Sequence, residues 1–299
     1  MTDLDRAVHL RTFFACYVAA RGQASSRIAE AFAAVPREPF AGPGPWSVKV
    51  PGQEGYLVTP DDDPAYLYQD TLMAIDASRG INFGEPSLHA RCLEAVSPRA
   101  GEAVLHVGAG AGYYTALLAH LVGPGGSVHA VEIEPDLTAR AADNLADLPQ
   151  VAVECRSGLD AGLPKADVVY VNAGLPMIPS AWLDALRPGG RLIFPLQPVG
   201  GFGAMLRIEH PGAVEAPWLA KHTSVPSADR SWPARFVMPV GFIGCRGGED
   251  DEAGRRLTAA ISSGGGRAVR SLRRDSAPDA TCWLRGEGWW LSTAEPIEQ

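Results

Sequence analysis

Glycines at positions 108, 110 and 112 and a glutamate at 132 are the residues whose types and spacing can do chemistry. The stretch "VLHVGAGAGYY", residues 104–114, runs from an apolar, strand-like segment through a glycine turn into the helix-like "YYTALLAHL". Residues lacking a Cβ let a backbone approach a ligand closely and adopt left-handed conformations. Twenty residues beyond Gly112, "SVHAVEI" ends near Glu132, at the tip of the next strand. A carboxylate there can accept both hydroxyls of a ribose as a bidentate pair, with Glu134 as the neighbouring alternative. A Walker A loop requires Gly-Lys-Ser/Thr, whereas these glycines run into Tyr113-Tyr114-Thr115, which argues against a nucleoside triphosphate. The dinucleotide fingerprint G-x-G-x-x-G would place its third glycine at Tyr113, but that glycine comes one residue early, at Gly112.

These residues need a scaffold, and the texture of the chain supplies one. From about residue 86 strand-like and helix-like segments alternate: "PSLHARCLEAV", "AVLHV", "GYYTALLAHLV", "GSVHAVEI", "EPDLTARAADNLADL", "VAVECR", "ADVVYVNAG", "PSAWLDAL" and "GGRLIFPL". Alternation at these lengths predicts a parallel sheet with helices on both faces, and the apolar strands suit burial on both sides. Upstream, residues 3–34 are helix-like, with a capped helix in "SSRIAEAFAAVPREPF" ended by Pro36. Residues 41–64, rich in Gly, Pro and Asp, predict a loop, and an ordered loop of that length often covers a site. Tyr66, Tyr68 and Asp70 follow it, either as lid or pocket residues or as packing. After residue 200, "GAMLRI" and "ARFVMPVGFIGC" predict an antiparallel pair finishing the sheet. "DEAGRRLTAAISS" adds a helix, and "TCWLRG" and "GWWLST" add short strands whose tryptophans should form a local core. Arg267, Arg270, Arg273 and Arg274 alternate with Val269 and Leu272, as on the wet side of a strand. The expected partition is residues 1–85 as a helical and lid segment, 86–245 as the ligand-binding domain, and 246–299 as a C-terminal extension.

Bulk properties narrow the setting. The 299 residues are 46% hydrophobic and 20% charged with a net charge of −8, a balance that argues against nucleic acid as a partner. Cys16, Cys92, Cys155, Cys245 and Cys282 are scattered, with no spacing that suggests a metal site or a disulfide framework. The N-terminal apolar stretches are too short for a signal peptide or a membrane span, so a cytoplasmic, reduced protein is expected. No feature of the sequence fixes an oligomeric state.

The G-x-G-x-G spacing is typical of methyltransferases that use S-adenosylmethionine (SAM). From about residue 28 to 197 the chain resembles the protein-L-isoaspartate O-methyltransferase family. The likeness is carried, in order, by "AFAAVPREPF", "GINFGEPSLHARCLEAV", "VLHVGAGAGYYTALLA" and "ADVVYVNAGLPMIPSAWLDALRPGGRLIFPL". It implies an α/β fold: a Rossmann-like, seven-stranded class I SAM-dependent methyltransferase sheet, with an N-terminal helical segment and a small C-terminal α+β extension. SAM would bind over the carboxyl ends of the strands.

Carried over residue by residue, the resemblance puts the cofactor loop at Gly108, Gly110 and Gly112 and the ribose carboxylate at Glu132. The adenine-side "GDG" falls on Arg156-Ser157-Gly158, so Ser157 replaces the aspartate. The active-site segment Thr-Ile-Ser-x-Pro falls on Asn82-Phe83-Gly84-Glu85-Pro86, and the family's serine becomes Gly84. Asn82, with two N–H donors, and Gly84, with its backbone freedom, become the candidate acceptor-positioning residues. Read without the resemblance, the same segment is a turn before a helix. His89 would meet the SAM carboxylate, and His106 stands where family members usually carry an acid.

The resemblance implies SAM-dependent transfer of a methyl group to a carboxylate, with isoaspartyl protein or peptide as the inherited substrate. An unperturbed carboxylate is ionised at neutral pH and needs no general base, which fits the lack of a Ser-His-Asp constellation. The loss of the serine leaves two alternatives open, another peptide-derived or small-molecule carboxylate as acceptor, or a SAM-binding module without catalysis. A nicotinamide-linked dehydrogenase is opposed by Tyr113.

Overall fold

Parallel strands joined by helices build the part of the molecule that holds the glycine turn. The computed structural model describes residues 3–50, 52–212, 231–274 and 277–297, and the chain divides into two compact units, residues 1–158 and 159–299. That division falls inside the stretch 86–245, which sequence texture alone treats as one piece.

The first unit opens with α1 (Asp3–Gly22), α2 (Ser26–Ala34) and α3 (Glu38–Ala41). α1 ends where Gln23 turns the chain in the left-handed region, and Gly22 before it has no room for a Cβ, which would meet Ser87 O at 2.6 Å. The stretch read as loop contains a short antiparallel ladder, β1 (Ser47–Val48) with β2 (Leu57–Val58). A second hairpin follows, β3 (Ala74–Asp76) with β4 (Ile81–Asn82), and then α4 (Pro86–Val96). Next come β5 (Ala103–Val107), α5 (Tyr113–Val122), β6 (Ser127–Glu132), α6 (Pro135–Asn144) and β7 (Val151–Cys155). β6 pairs in parallel with β5 on one side and β7 on the other, setting His106 opposite Ala130 and Glu132 opposite Cys155. Every residue of α5 except His120 is buried, which is why that helix reads as apolar all round rather than as a stripe. Leu105, Leu117 and Leu118 are fully covered, each contributing roughly 1.5–3 kcal/mol by burial.

The second unit contains β8 (Ala166–Val171), α7 (Ser180–Ala185), β9 (Leu186–Leu196), β10 (Gly203–Glu209) and β11 (Ser231–Val240). They are followed by α8 (Asp251–Ser263), β12 (Ser271–Arg273), β13 (Cys282–Arg285) and β14 (Trp290–Ser292). β8 and β9 are parallel; from β9 the sheet continues antiparallel through β10, β11, β12 and β14 to β13. The expected pair β10 and β11 is present, although β11 stops at Val240, before "GFIGC". Asp250 caps α8 by accepting from the Ala253 N–H at 2.8 Å.

The arginine run keeps its expected role as a wet face at Arg267, Arg270 and Arg274, which are exposed beside buried Val269 and Leu272, and departs from it at Arg273. Only Arg273 of the four lies within β12, and it is buried, with its guanidinium 5.5 Å from the Trp290 ring centre and donating to Ser231 Oγ at 3.0 Å. Arg274 covers Trp232 at 5.3 Å. The Trp290 face shelters the Arg273 cation, so this one arginine breaks the alternation of exposure. Trp289 and Trp290 are buried in this region, while Trp283 anchors its Nε1–H on Gly264 O. Among the described residues, no helix is long and apolar enough to cross a membrane.

Candidate functional site

All the sequence-derived site residues lie in the first unit. β5 delivers the chain into the turn, where Gly108, Gly110 and Gly112 take φ of 78°, 56° and 95°, values that L side chains rarely adopt. Gly112 also has no room for a side chain, because a Cβ would meet Leu145 Cδ1 at 2.9 Å. It starts α5 without a side-chain cap, leaving the first N–H groups of a ten-residue helix at the end of the turn.

Glu132 closes the turn from the tip of β6. Its Oε2 accepts from the Gly110 N–H at 2.7 Å, and its Oε1 accepts from the N–H groups of Ile133 and Glu134 at 2.9 and 3.1 Å. A carboxylate has about four acceptor positions. Three are used here, so one conventional position remains, on Oε2, where the sequence reading expected two for a ribose. Glu134, the alternative, has its carboxylate engaged by Arg79 at 3.1 Å. Gly158 is buried after β7, at a spot where a Cβ would meet Val107 Cγ1 at 2.3 Å, and Ser157 beside it is half-buried.

The segment expected to face the acceptor, residues 82–86, begins in β4 and leaves the β3–β4 hairpin. Asn82 Oδ1 accepts from the Gly84 N–H at 2.8 Å, while its Nδ2 donates at 3.3 Å to Tyr56 OH and to Gly80 O. Its amide is thus occupied in shaping the turn, and any hold on an acceptor would compete with these longer bonds. Gly84 has φ of 76°, and a Cβ placed on it would lie 2.3 Å from His89 Nε2. The imidazole fills the space where the family's serine side chain would begin. Gly84 and His89 are therefore a matched pair, and a serine does not fit the segment as it stands.

His89 is buried on α4 and stacks on Tyr114 with ring centres 3.7 Å apart. His106 is wholly buried at the end of β5, its Nδ1 sharing a 2.8 Å hydrogen bond with Thr115 Oγ1. The structure places both rings in the buried interior, with one face of His89 and one nitrogen of His106 already committed. Burial lowers both pKa values from 6.5 to about 3, with His106 and Arg37 adding to the effect at His89. Both imidazoles are neutral at pH 7. The unfolded chain takes up protons at these rings below about pH 6.5, and the folded chain does not until far lower, so stability falls as pH drops through that window. The melting temperature should therefore decline between pH 6.5 and about 5, before ordinary carboxylates begin to protonate. A midpoint constant over that interval in thermal denaturation would mean the rings are open to solvent.

Sequence reasoning missed three contributors. Arg37 is 2% exposed, with its guanidinium 5.3, 5.7 and 5.4 Å from the ring centres of Phe14, Phe83 and Tyr113. Ile75, on β3, rests on the glycine turn, 3.1 Å from where a Gly110 Cβ would be. Arg79, in the hairpin turn, binds Asp76, Glu134 and Asp136. The one signal for Arg37 was its place in "VPRE". The other two make contacts far along the chain, which local patterns do not encode. Tyr68 and Asp70 prove to be supports: Tyr68 OH donates to Glu38 at 2.6 Å, and Asp70 accepts from the Ser87 N–H at the start of α4 and pairs with Arg21.

The model of the family described as protein-L-isoaspartate(D-aspartate) O-methyltransferase matches residues 54–230, more than half of the chain. The chain belongs to this family. Among curated relatives, protein-L-isoaspartate O-methyltransferase 2 of Anaeromyxobacter sp. (strain Fw109-5) is 34% identical over 187 residues, covering 61% of this chain and 68% of the relative. The protein-L-isoaspartate O-methyltransferase of Methanopyrus kandleri is also 34% identical, covering 58% and 70%. A solved protein-L-isoaspartate O-methyltransferase aligns with a TM-score of 0.60 at 22% identity, over 84% of this chain and 69% of that one. A putative family member from Plasmodium falciparum, solved with S-adenosyl-L-homocysteine, aligns with a TM-score of 0.56 at 16% identity, over 79% and 98%. At those identities the solved structures establish the fold, the Rossmann-like sheet of class I methyltransferases.

The residues of this family member fit SAM. The turn has three side-chain-free positions, an uncapped helix start suits an amino acid carboxylate, and Glu132 keeps an acceptor position for a hydroxyl. Arg37 Nη2 and the hydroxyls of Tyr113 and Tyr114 are buried without a hydrogen-bond partner among the described residues, a desolvation cost that a polar ligand or water would relieve.

Proposed function

We propose that the protein is a SAM-dependent O-methyltransferase that esterifies a carboxylate on isoaspartyl protein or peptide, acting in the cytoplasm. The observation that carries this reading is the closure of three left-handed glycines onto Glu132, with the acceptor segment one hairpin away. In the proposed division of labour, Gly108, Gly110, Gly112 and Glu132 hold the amino acid and ribose ends of SAM, with Ser157 and Gly158 on the adenine side. Asn82 and Gly84 shape the acceptor site within residues 1–85. Residues 86–245 form the methyltransferase domain and 246–299 an extension to it.

When bound, SAM supplies an electrophilic methyl group on a sulfonium that leaves as a neutral thioether. The carboxylate arrives ionised, so the protein has no proton to remove, and the neutral His89 and His106 are not asked to act as bases. What the chain contributes is alignment of oxygen, methyl carbon and sulfur, which can supply several kcal/mol of barrier reduction.

The His89 ring beside Gly84 favours a second reading, in which the acceptor is another peptide-derived or small-molecule carboxylate. Transfer of tritium from labelled SAM separates the two. Base-labile counts on an isoaspartyl peptide support the first, and counts on other carboxylates but not on that peptide support the second. SAM binding by calorimetry with no transfer to any carboxylate would reduce the protein to a cofactor-binding module.

A further inference from the structure

The hairpin that leads into the acceptor segment is fastened to the cofactor side by one guanidinium. Arg79 Nε donates to Asp76 Oδ2 at 2.7 Å within the hairpin itself. Its Nη1 donates to Glu134 Oε2 and Asp136 Oδ1, both at 3.1 Å, and its Nη2 donates to Asp136 Oδ2. The Asp76 carboxylate also accepts from the Ser78 N–H at 2.9 Å and the Ser78 hydroxyl at 2.6 Å, which stiffens the turn. Hydrogen bonds from Ser78 and Arg79 hold the Asp76 carboxyl below the usual carboxylate range, and Arg79 does the same for Asp136, so the network is charged at neutral pH.

The two acids lie next to the residue that closes the glycine turn. Glu134 donates its N–H to Glu132 Oε1, and Asp136 occupies the first turn of α6. On the hairpin side, Ala74 pairs with Asn82 and Ile75 rests on Gly110, while Asn82 fixes the Gly84 N–H. An unbroken series of contacts thus runs from Glu132 through Glu134 and Arg79 to the hairpin, Asn82 and Gly84.

We propose that Arg79 is a positioning residue for methyl transfer, setting the acceptor segment at a fixed place relative to the cofactor loop without touching either reactant. The proposal rests on the cofactor reading above. Exposed ion pairs add little to global stability, so the effect of Arg79 belongs in alignment rather than in the melting temperature. Reactions of this kind are sensitive to small misplacements of the reacting atoms.

The test compares the wild-type protein, Arg79→Ala and Arg79→Lys. In Arg79→Ala, kcat for labelled-methyl transfer should fall about tenfold or more, while the SAM dissociation constant measured by calorimetry changes less than about threefold. Arg79→Lys, a point charge without the planar fork, should recover part of kcat. Amide hydrogen exchange without cofactor should be faster at residues 74–82 in Arg79→Ala, with the melting temperature unchanged. Wild-type kcat in Arg79→Ala, unchanged exchange in the hairpin, or a loss of SAM affinity as large as the loss of rate overturns the proposal. A wild-type protein that binds no SAM refutes the cofactor reading instead, and the exchange comparison still decides whether Arg79 holds the hairpin.

Discussion

Gly84→Ser is expected to lower methyl transfer sharply and to destabilise the fold, although the resemblance to the family implies a serine at this position. Two independent costs oppose the serine. Its backbone would have to keep φ at 76°, which costs an L residue roughly 1–2 kcal/mol. Its Cβ would meet His89 Nε2 at 2.3 Å, and that nitrogen belongs to a buried ring held by stacking on Tyr114, not to the far end of a flexible chain. A total of about 2–3 kcal/mol is expected, visible in thermal denaturation and in a kcat reduced by more than about tenfold. The double variant Gly84→Ser/His89→Ala should lose less stability than the two single losses added, because the clash vanishes with the ring. A serine variant as stable and active as wild type would show that the segment relaxes freely and that the pairing of Gly84 with His89 has no energetic content.

Glu132→Ala should weaken SAM binding by about 1–3 kcal/mol, roughly five- to 150-fold in the dissociation constant. The ribose contact is one source of that loss. The other is internal: the N–H groups of Gly110, Ile133 and Glu134 lose their acceptor, so the turn is no longer held in the shape that receives the ligand. Glu132→Gln separates the two sources, since an amide keeps one acceptor oxygen and replaces the other with a donor. It should fall between wild type and alanine if part of the carboxylate's task is to organise the backbone. Calorimetry with SAM reads both variants, and an affinity unchanged in Glu132→Ala would place the ribose elsewhere.

Much of the fold was legible in the sequence, as was the glycine turn, and the reason is physical. Buried parallel strands must be apolar, and the helices between them must be long enough to cross back, so the alternation from β5 to β9 leaves a strong pattern. The turn was legible because positive φ at close spacing selects glycine. The expectation of Glu132 rather than Glu134 rested on its position at the strand tip, and in the structure Glu134 pairs with Arg79.

What was not legible depends on partners distant in sequence. Arg79 meets Glu134 and Asp136 across 55 and 57 positions, from a turn between two very short strands that carry no measurable alternation. Arg273 was read as a solvent-facing cation and Arg37 was not singled out, but each is buried against aromatic rings, and nothing within a few residues of either announces that shelter. The absent serine was legible as a departure, yet its cause was not, because the ring that displaces it arrives from the following helix.

The contact between Gly84 and the imidazole of α4 also constrains how a lineage could regain the hydroxyl. Replacing the glycine first creates a crowded intermediate that selection would discard, whereas vacating position 89 first opens a viable route. The order of substitution at these two sites therefore matters, and a laboratory recombination of homologous segments should exchange the stretch from 82 to 89 as one block rather than starting from position 84.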